Sequence, residues 1–318
     1  MTREKSSQPT DSAEIVTLSA GPLELVLSPA MGGSIARFTY RDGARHLPIL
    51  RSSEGTPAHV LGTGSFPLVP YVNRIRGGEF TFRGKTVCLA ANMTGDPSPL
   101  HGQGWLNPWR VVAATNKDAT LAFDHLAGEW PWSYRAEQHF SLSETGLEIA
   151  LSCRNLSLEP MPCGLGQHPY FLCSPATRIA TQVDYVWTID KQVLPVERIA
   201  ATGQYDLSDR AVCGLGLDHG FDGWGGKAML SDPSWPFDLE MSSSDADFFQ
   251  LYSPPEGGIF VAEPVTHANA ALNCPEEQWA DVGLRVLEPG DQMTLVMRLA
   301  LSLAGGKRIF LASSPRLL

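Results

Sequence analysis

Three histidines lie in segments rich in Gly, Pro and aromatic residues, not in the alternating pattern of a strand. They are His101 in SPLHGQGW, His168 in GLGQHPYF and His267 in EPVTHANAALN. Glycine beside a polar side chain lets a ligand approach closely, and the neighbours Trp105, Tyr170 and Phe171 offer a flat apolar floor. These segments indicate a site for a ring such as a sugar, although each histidine could instead only tie its loop together.

Three acidic residues also lie where a carboxylate needs explaining. Glu263 follows the apolar run 259–262 and precedes Pro264, which we expect to end the strand. A carboxylate at the end of a buried strand is costly unless paired, so Glu263 is either an ion-pair partner or a working base. Asp218 and Asp222 lie in the Gly-rich segment LDHGFDGWGG, where we favour a role in forming a turn.

Arg74 and Arg76 are two residues apart in PLVPYVNRIRGGEF and point to one side if the chain there is extended. The guanidinium fork can grip two oxygens at once, from vicinal hydroxyls or from a carboxylate, but both side chains could equally be structural. The sequence has neither a Walker-type phosphate loop nor a strand-to-helix GxGxxG, and neither HExxH nor HxH spacing. We therefore expect no cofactor and no metal.

The charge balance argues against two classes of partner. The chain of 318 residues has 34 Asp and Glu against 24 Lys and Arg, a formal charge of −10. No cluster of basic residues marks a nucleic-acid site, and no long apolar run could span a membrane. The first residues lack the apolar stretch of a secretory signal, so we expect a cytoplasmic protein. Six cysteines without a CxxC pair argue against a zinc site and a disulfide framework.

The elements that would position these residues are strands. GEFTFRGKTVCLA predicts a short hairpin, and SYRAEQHFSLSETGLEIALSCRN predicts a long one. DQMTLVMRLALSLA predicts a core strand with one apolar face, made by Met293, Leu295, Met297, Leu299, Leu301 and Leu303. With 30 Gly and 24 Pro, the chain contains no stretch of helical periodicity long enough for a substantial helix.

Many long strands, each with one apolar face, favour a large antiparallel β-sandwich. We therefore predict an all-β chain with a single domain at 14–304. The polar residues 1–13 are expected to be a flexible tail, and 305–318 a tail or an extra strand.

At these residues the sequence resembles the aldose 1-epimerase (galactose mutarotase-like) family, in its compact bacterial branch. The resemblance rests on five strings in the family's order: VPYVNRIRGGEFTFRGK, PLHGQGW, NLSLEPMPCGLGQHPYF, LDHGFDGW and VAEPVTHANAALN. It implies a supersandwich fold and the interconversion of α and β anomers of an aldohexose, without a cofactor. By the same resemblance Glu263 is the general base, His168 the general acid, and Arg74, His101 and Asp218 hold the substrate.

Two positions depart from the family's pattern. Pro264 and Val265 follow the glutamate where better-studied members have Thr-Gln, and Gln167 precedes His168 where Asn is common. Both departures bear on which sugar is bound more than on the chemistry.

Other functions stay open. Asp218 and Glu263 could be the paired carboxylates of a glycoside hydrolase. The pocket could bind sugar without catalysis, as a carbohydrate-binding or sugar-sensing module. A hexose-6-phosphate epimerase is a further alternative, although the chain lacks the expected string near the first arginine. Arg74 and Arg76 together could also select an anionic hexose, such as a uronate or a sulfonated sugar, but we favour a neutral aldose.

Overall fold

The computed structural model describes residues 15–52 and 58–303, which form strands joined by turns and 3-10 helices. Within these ranges there is no α-helix, as the sequence predicted. The strands are β1 (Val16–Ala20), β2 (Leu23–Ser28), β3 (Ser34–Asp42), β4 (Arg45–Leu50), β5 (Pro67–Leu68), β6 (Glu79–Phe82), β7 (Lys85–Cys88), β8 (Arg110–Ala114), β9 (Asp118–His125), β10 (Tyr134–Ser143), β11 (Gly146–Asn155), β12 (Met161–Cys163), β13 (Gly166–Gln167), β14 (Tyr170–Leu172), β15 (Arg178–Thr181), β16 (Tyr185–Ile189), β17 (Pro195–Ala200), β18 (Arg210–Ala211), β19 (Leu217–Asp222), β20 (Lys227–Ser231), β21 (Phe237–Ser242), β22 (Phe248–Ser253), β23 (Ile259–Val265), β24 (Arg285–Leu287) and β25 (Gln292–Leu303).

Short 3-10 helices occupy several of the connections. They are Val60–Gly62, Arg76–Gly78, Gly104–Leu106, Gly203–Tyr205, Ala271–Asn273 and Glu276–Gln278. The described residues contain no helix with the length and apolar character needed to cross a bilayer. The predicted tails, 1–13 and 305–318, lie outside the described residues.

Two large sheets form the layers of an antiparallel β-sandwich, which confirms the predicted fold class. One has nine strands in the order β18-β15-β20-β21-β25-β11-β10-β9-β8. The other has eight, with β17-β16-β19-β22-β23-β13-β5 in order and β14 also paired with β23. Strands β1 to β4 form a third sheet, and β6-β7 and β12-β24 are two-stranded. Gln138 of β10 accepts a hydrogen bond of 3.1 Å from Gln167 of β13, which joins the facing sides of the two large sheets.

The three predicted segments form two hairpins and a core strand, as expected from the sequence. β6 pairs with β7 and β10 pairs with β11, each around a tight turn. In β25 the side chains from Met293 to Leu299 on the predicted face are buried, while Leu301 and Leu303 near its end are partly exposed. The apolar face of this strand therefore lies in the core, as its period of two requires.

Two local predictions are wrong. Pro264 does not end its strand: it lies inside β23 opposite Phe249, and pairing continues at Val265. Asp218 and Asp222 are not in a turn but in β19, because Leu217, His219 and Phe221 alternate with them and supply the buried face of a strand.

Candidate active site

A single row of side chains crosses one face of the eight-stranded sheet. Gln250 of β22 lies opposite Glu263 of β23. The register of β13 and β14 against β23 places His168, between those two strands, opposite Glu263 on its other side. Phe66 then follows His168, by the register of β5. Strand pairing thus brings together Glu263 and His168, which are 95 residues apart in the sequence.

Glu263 and His168 are in contact and nearly excluded from solvent. His168 Nε2 lies 3.5 Å from Glu263 Oε1, and the two side chains are only 11% and 4% exposed. Burial raises the pKa of the Glu263 carboxyl well above its usual range, with a further rise from the charge of Asp218. Burial lowers the pKa of His168 to about 3. Burial alone therefore favours an uncharged pair that holds one proton between them.

The His168 ring is fixed by aromatic neighbours. It stacks on Phe66 with centroids 4.4 Å apart and planes 18° from parallel, and Tyr170 lies 4.7 Å away on centroids. The guanidinium of Arg51 in turn lies over the Tyr170 ring, with its central carbon 3.7 Å from the ring centroid. His168 Nδ1 is buried and has no hydrogen-bond partner among the described residues. Nε2 is therefore the nitrogen available for chemistry.

His101 has one defined tautomer because its backbone and ring both bond to Asn73. His101 Nδ1 accepts the N–H of Asn73 at 3.0 Å, and the N–H of His101 donates to the carbonyl of Asn73 at 3.0 Å. Burial holds the pKa of His101 well below its usual value, so the ring is neutral near pH 7. A neutral ring that accepts at Nδ1 carries its proton on Nε2. His101 is thus a hydrogen-bond donor through Nε2.

Arg74 and Arg76 face different surroundings. Arg74 is buried for the most part and donates from Nε to Asp96 at 2.8 Å, with Nη1 bonded to the side chain of Asn73. Arg76 begins a 3-10 helix, is half exposed and lies 3.7 Å from Asp190 at the protein surface. The extended local chain that would have aligned the two arginines is interrupted by this helix, so they do not act as a pair.

Asp218 lies on the same face of the sheet as Glu263, one strand beyond Gln250. Its carboxylate accepts a 2.9 Å hydrogen bond from Gln250 Nε2. Burial raises the pKa of Asp218, while Arg74 and the Gln250 hydrogen bond oppose that rise. Gln250 therefore lies between the two acidic residues: it is opposite Glu263 on the neighbouring strand and donates a hydrogen bond to Asp218.

All five residues singled out as catalytic or substrate-binding line one cavity of about 280 Å³. This is close to the lower end of the roughly 300–1,000 Å³ common for small-molecule sites. The lining residues are Leu61, Asn73, Arg74, Met93, Leu100, His101, Trp105, His168, Tyr170, Asp218, Gln250, Tyr252 and Glu263. Of the predicted aromatic floor, Trp105 and Tyr170 are here, but Phe171 points into the core and stacks on Phe260.

His267 is structural in this fold. Its Nε2 accepts the N–H of Val72 at 3.0 Å, and its Nδ1 lies 2.7 Å from the carbonyl of Ala268. Both ring nitrogens are thereby used within the protein. A side chain at Gly164 would have its Cβ 1.9 Å from this ring, so the position requires glycine. His267 holds the segment before Arg74 against the end of β23.

A protein-family model described as aldose 1-epimerase matches residues 14–300. The chain belongs to the aldose 1-epimerase family. Membership implies a sugar substrate and confirms the resemblance seen in the five sequence strings. Among residues 15–52 and 58–303, no group of three His, Cys, Asp or Glu side chains could hold a metal ion.

Similar proteins match this chain over most of its length. The uncharacterised protein YphB of Escherichia coli K12 is 33% identical over 295 residues, which covers 90% of this chain and 98% of YphB. The crystal structure of a candidate aldose 1-epimerase from Escherichia coli K12 has a TM-score of 0.83 at 31% identity, covering 91% of this chain and 99% of that one. A galactose mutarotase-like protein from Clostridium acetobutylicum shares the fold, with a TM-score of 0.78 at 22% identity, covering 90% and 94%.

Several residues of this epimerase-family cavity were not identified from the sequence. Gln250 and Tyr252 lie in FFQLYS, an otherwise mainly apolar strand, and their side chains line the cavity. Asp96, which bonds to Arg74 but is not one of the lining residues, lies in a polar turn like many others in the chain. The alternation of β22 was the available signal for the first two, whereas nothing local marks Asp96 as the partner of Arg74.

Proposed function

We propose that this chain is an aldose 1-epimerase that interconverts the α and β anomers of a neutral aldohexose. In this proposal Glu263 is the base and His168 the acid, and Arg74, His101 and Asp218 hold the sugar. The observation that carries the proposal is the 3.5 Å contact between His168 Nε2 and Glu263 Oε1, inside a cavity that the other three residues also line.

The reaction needs one proton removed and one supplied. Glu263 takes the proton of the anomeric hydroxyl while His168 protonates the ring oxygen, and the bond between the anomeric carbon and the ring oxygen breaks. The products are an aldehyde and a free hydroxyl. Rotation about the next carbon–carbon bond presents the other face of the aldehyde. Closure then reverses both proton transfers.

Burial of Glu263 and His168 favours these proton transfers energetically. The reactive state has Glu263 ionised and His168 protonated, and ring opening converts the pair to its uncharged form. Burial favours that uncharged form at both residues. Burial of the two groups therefore favours the proton transfers that open the ring, and closure restores the starting state without net consumption of protons.

The charges in the cavity favour a neutral sugar. Arg74 is already paired with Asp96, Arg76 lies outside the cavity, and His101 is neutral. Asp218 and Glu263 add acidic groups. Among the described residues that line the cavity, Arg74 is paired with Asp96, and the protonated His168 of the reactive state faces Glu263. An anionic sugar would therefore meet carboxylates without an unpaired cation, so hydroxyl groups are the better match for these donors and acceptors.

The test is anomer exchange followed by polarimetry and by nuclear magnetic resonance. We expect the wild-type protein to accelerate mutarotation of a neutral aldohexose and to leave uronates and hexose phosphates at their uncatalysed rates. Glu263→Gln and His168→Asn should each lower kcat by about a hundredfold or more, because each removes one proton-transfer group. Arg76→Ala is the matched control and should keep the wild-type rate. Sugar binding without acceleration by the wild type would instead indicate a binding module.

A further inference from the structure

A second, much smaller cavity lies on the far side of Glu263 from His168. Its volume is about 10 Å³, and Glu263, Gln250, Gly220 and Trp187 are among the residues that line it. The indole N–H of Trp187 is buried and has no hydrogen-bond partner among the described residues. A buried donor without a partner is uncommon, because it costs the full price of desolvation.

Strand register explains why these groups meet. Gly220 lies opposite Gln250, and Gln250 lies opposite Glu263. Continuing the pairing of β16 with β19 by one residue places Trp187 beside Gly220. The row that contains His168 and Glu263 therefore extends through Gln250 and a glycine to Trp187. Because glycine has no side chain, the row is open at Gly220, beside the indole and next to Gln250. The cavity at this opening is lined by both Trp187 and Glu263.

The size and polarity of this space suit one water molecule. A buried water needs roughly 10–15 Å³ of cavity and two to four polar partners. Among the described residues, the Trp187 indole N–H has no acceptor, and the Glu263 carboxylate accepts no hydrogen bond beyond its 3.5 Å contact with His168. Gln250 Oε1 lies beside Gly220, where a Cβ would be 3.2 Å from it.

We propose that this cavity is a binding site for one water molecule that accepts from the Trp187 indole and donates to the Glu263 carboxylate, which makes Trp187 a positioning residue for the base. The inference rests on the proposed role of Glu263. The water stabilises the ionised carboxylate, the form that must be present before the sugar ring opens. Glu263 is then held between His168 on one side and the water on the other.

Two variants test the water without altering Glu263. Trp187→Phe removes the N–H and keeps an aromatic ring. Gly220→Ala fills the space instead: among the described residues its Cβ meets only Gln250 Oε1 within 4 Å, and its backbone is not in the left-handed region. Each should lower kcat about tenfold with KM unchanged, as expected for loss of a hydrogen bond to a charged group. The double variant should be no slower than either single variant, because both remove the same water.

The pH profile distinguishes a positioning role from a structural one. The pKa of Glu263 is raised and that of His168 lowered, so the one proton that the pair holds is lost from Glu263 on the alkaline limb of kcat. Without the water the ionised carboxylate is less stable and the pKa of Glu263 rises further. The alkaline limb should therefore move about one unit to higher pH in both variants. Matched controls are Trp235→Phe and Gly128→Ala, which make the same changes outside the cavity and should leave kcat and its pH profile at wild-type values. A fall in kcat with an unmoved alkaline limb would overturn the proposal.

A crystal structure of the wild-type protein supplies a readout that does not depend on activity. We expect electron density for one water within hydrogen-bond distance of Trp187 Nε1 and a Glu263 carboxylate oxygen, and its loss in Gly220→Ala. A dry cavity in the wild type would overturn the inference even if the enzyme is active. If the wild type does not exchange anomers, the proposed function fails. The density, and the titration of the Glu263 carboxyl carbon by nuclear magnetic resonance in wild type and Trp187→Phe, would then still decide the inference.

Discussion

His101 combines an acceptor, Nδ1, that is used within the protein with a donor, Nε2–H, on a ring that lines the cavity. Nδ1 accepts from the N–H of Asn73, and the backbone of His101 is left-handed, with φ of 59°. Asparagine tolerates the same backbone and can accept the same hydrogen bond, but it has no counterpart of Nε2–H. We therefore expect His101→Asn to lower kcat/KM by about tenfold or more with little change in stability, because one hydrogen bond to the sugar is lost.

Steady-state kinetics and thermal unfolding check this prediction, with His101→Leu as the comparison. Leucine removes both the donor and the acceptor and is strained at positive φ, so it should lower stability as well as kcat/KM. Equal losses of stability in the two variants would show that Nδ1 contributes nothing to the loop.

Single residues differed in how far the sequence could identify them. His168 and His101 were recognisable because Gly, Pro and aromatic neighbours set them apart from strand residues. Glu263 was recognisable because it interrupts an apolar run. Gln250 was not, since its importance comes from lying opposite Glu263 on another strand, and sequence does not give strand register. The alignment of Arg74 with Arg76 could be considered but not excluded, because it depends on whether the local chain is extended, and a 3-10 helix begins at Arg76.

Among the structural elements, the segment that carries His101 depends on a close backbone approach at Gly102. Gly102 has φ of 70°, and a Cβ there would lie 2.1 Å from the carbonyl oxygen of Val69. Gly43, in the turn between β3 and β4, has φ of 62°, but a Cβ there would have no atom of the described residues within 4 Å. We expect Gly43→Ala to cost about 1 kcal/mol of unfolding free energy through backbone strain alone.

Gly102→Ala should cost clearly more than Gly43→Ala, because a backbone clash adds to the same strain. It should also lower kcat/KM by displacing His101, while Gly43→Ala keeps the wild-type value. Urea unfolding and anomer-exchange kinetics on both variants measure the two effects. Equal losses of stability would contradict the close approach.

Elements with strict alternation were predictable, and those with mixed composition were not. The long hairpin of β10 and β11 and the core strand β25 follow from their period of two. In β19, Gly and Asp occupy the face that lines the cavity, so composition favoured a turn while the buried face required a strand. In β23, Pro264 lies inside the sheet because its neighbours on both sides still pair. Tertiary pairing decided both cases against local propensity.

At the scale of the whole molecule, Gln167 belongs to the contact between the two large sheets and not to the cavity. Its side chain is buried and donates to Gln138, which in turn donates to the carbonyl of Gly33 at 2.8 Å. We expect Gln167→Asn to lower the unfolding free energy by about 1–3 kcal/mol, because a shorter side chain leaves a buried partner unsatisfied. The relative rates for different sugars should stay as in wild type.

A panel of neutral aldoses checks this prediction, with Gln250→Asn as the matched control. Gln250 lines the cavity and bonds to Asp218, so its shortening should change the relative rates. A changed sugar preference in Gln167→Asn would show that the contact between the sheets is coupled to the cavity.

The stability of the whole fold depends on pH through its buried histidines, and His267 isolates the effect. Burial lowers the pKa of His267 to about 4, against 6.5 for an exposed histidine. Between about pH 6.5 and pH 4, His267 is therefore protonated in the unfolded chain but not in the folded protein. The free energy of unfolding falls as the pH is lowered through this range. Between about pH 7 and pH 5 this one residue should account for about 2 kcal/mol of lost unfolding free energy.

The comparison that measures this contribution is wild type against His267→Gln, since glutamine can accept the Val72 N–H but does not titrate. His101 and His168 act in the same direction, while Glu263 and Asp218, whose pKa values are raised by burial, act in the opposite one. These contributions are common to both proteins and cancel in the difference. Urea unfolding at the two pH values should therefore show His267→Gln less stable than wild type near pH 7 but losing less stability on acidification. Parallel losses in the two proteins would mean that His267 is protonated in the fold, and its hydrogen bond from Val72 could not then exist.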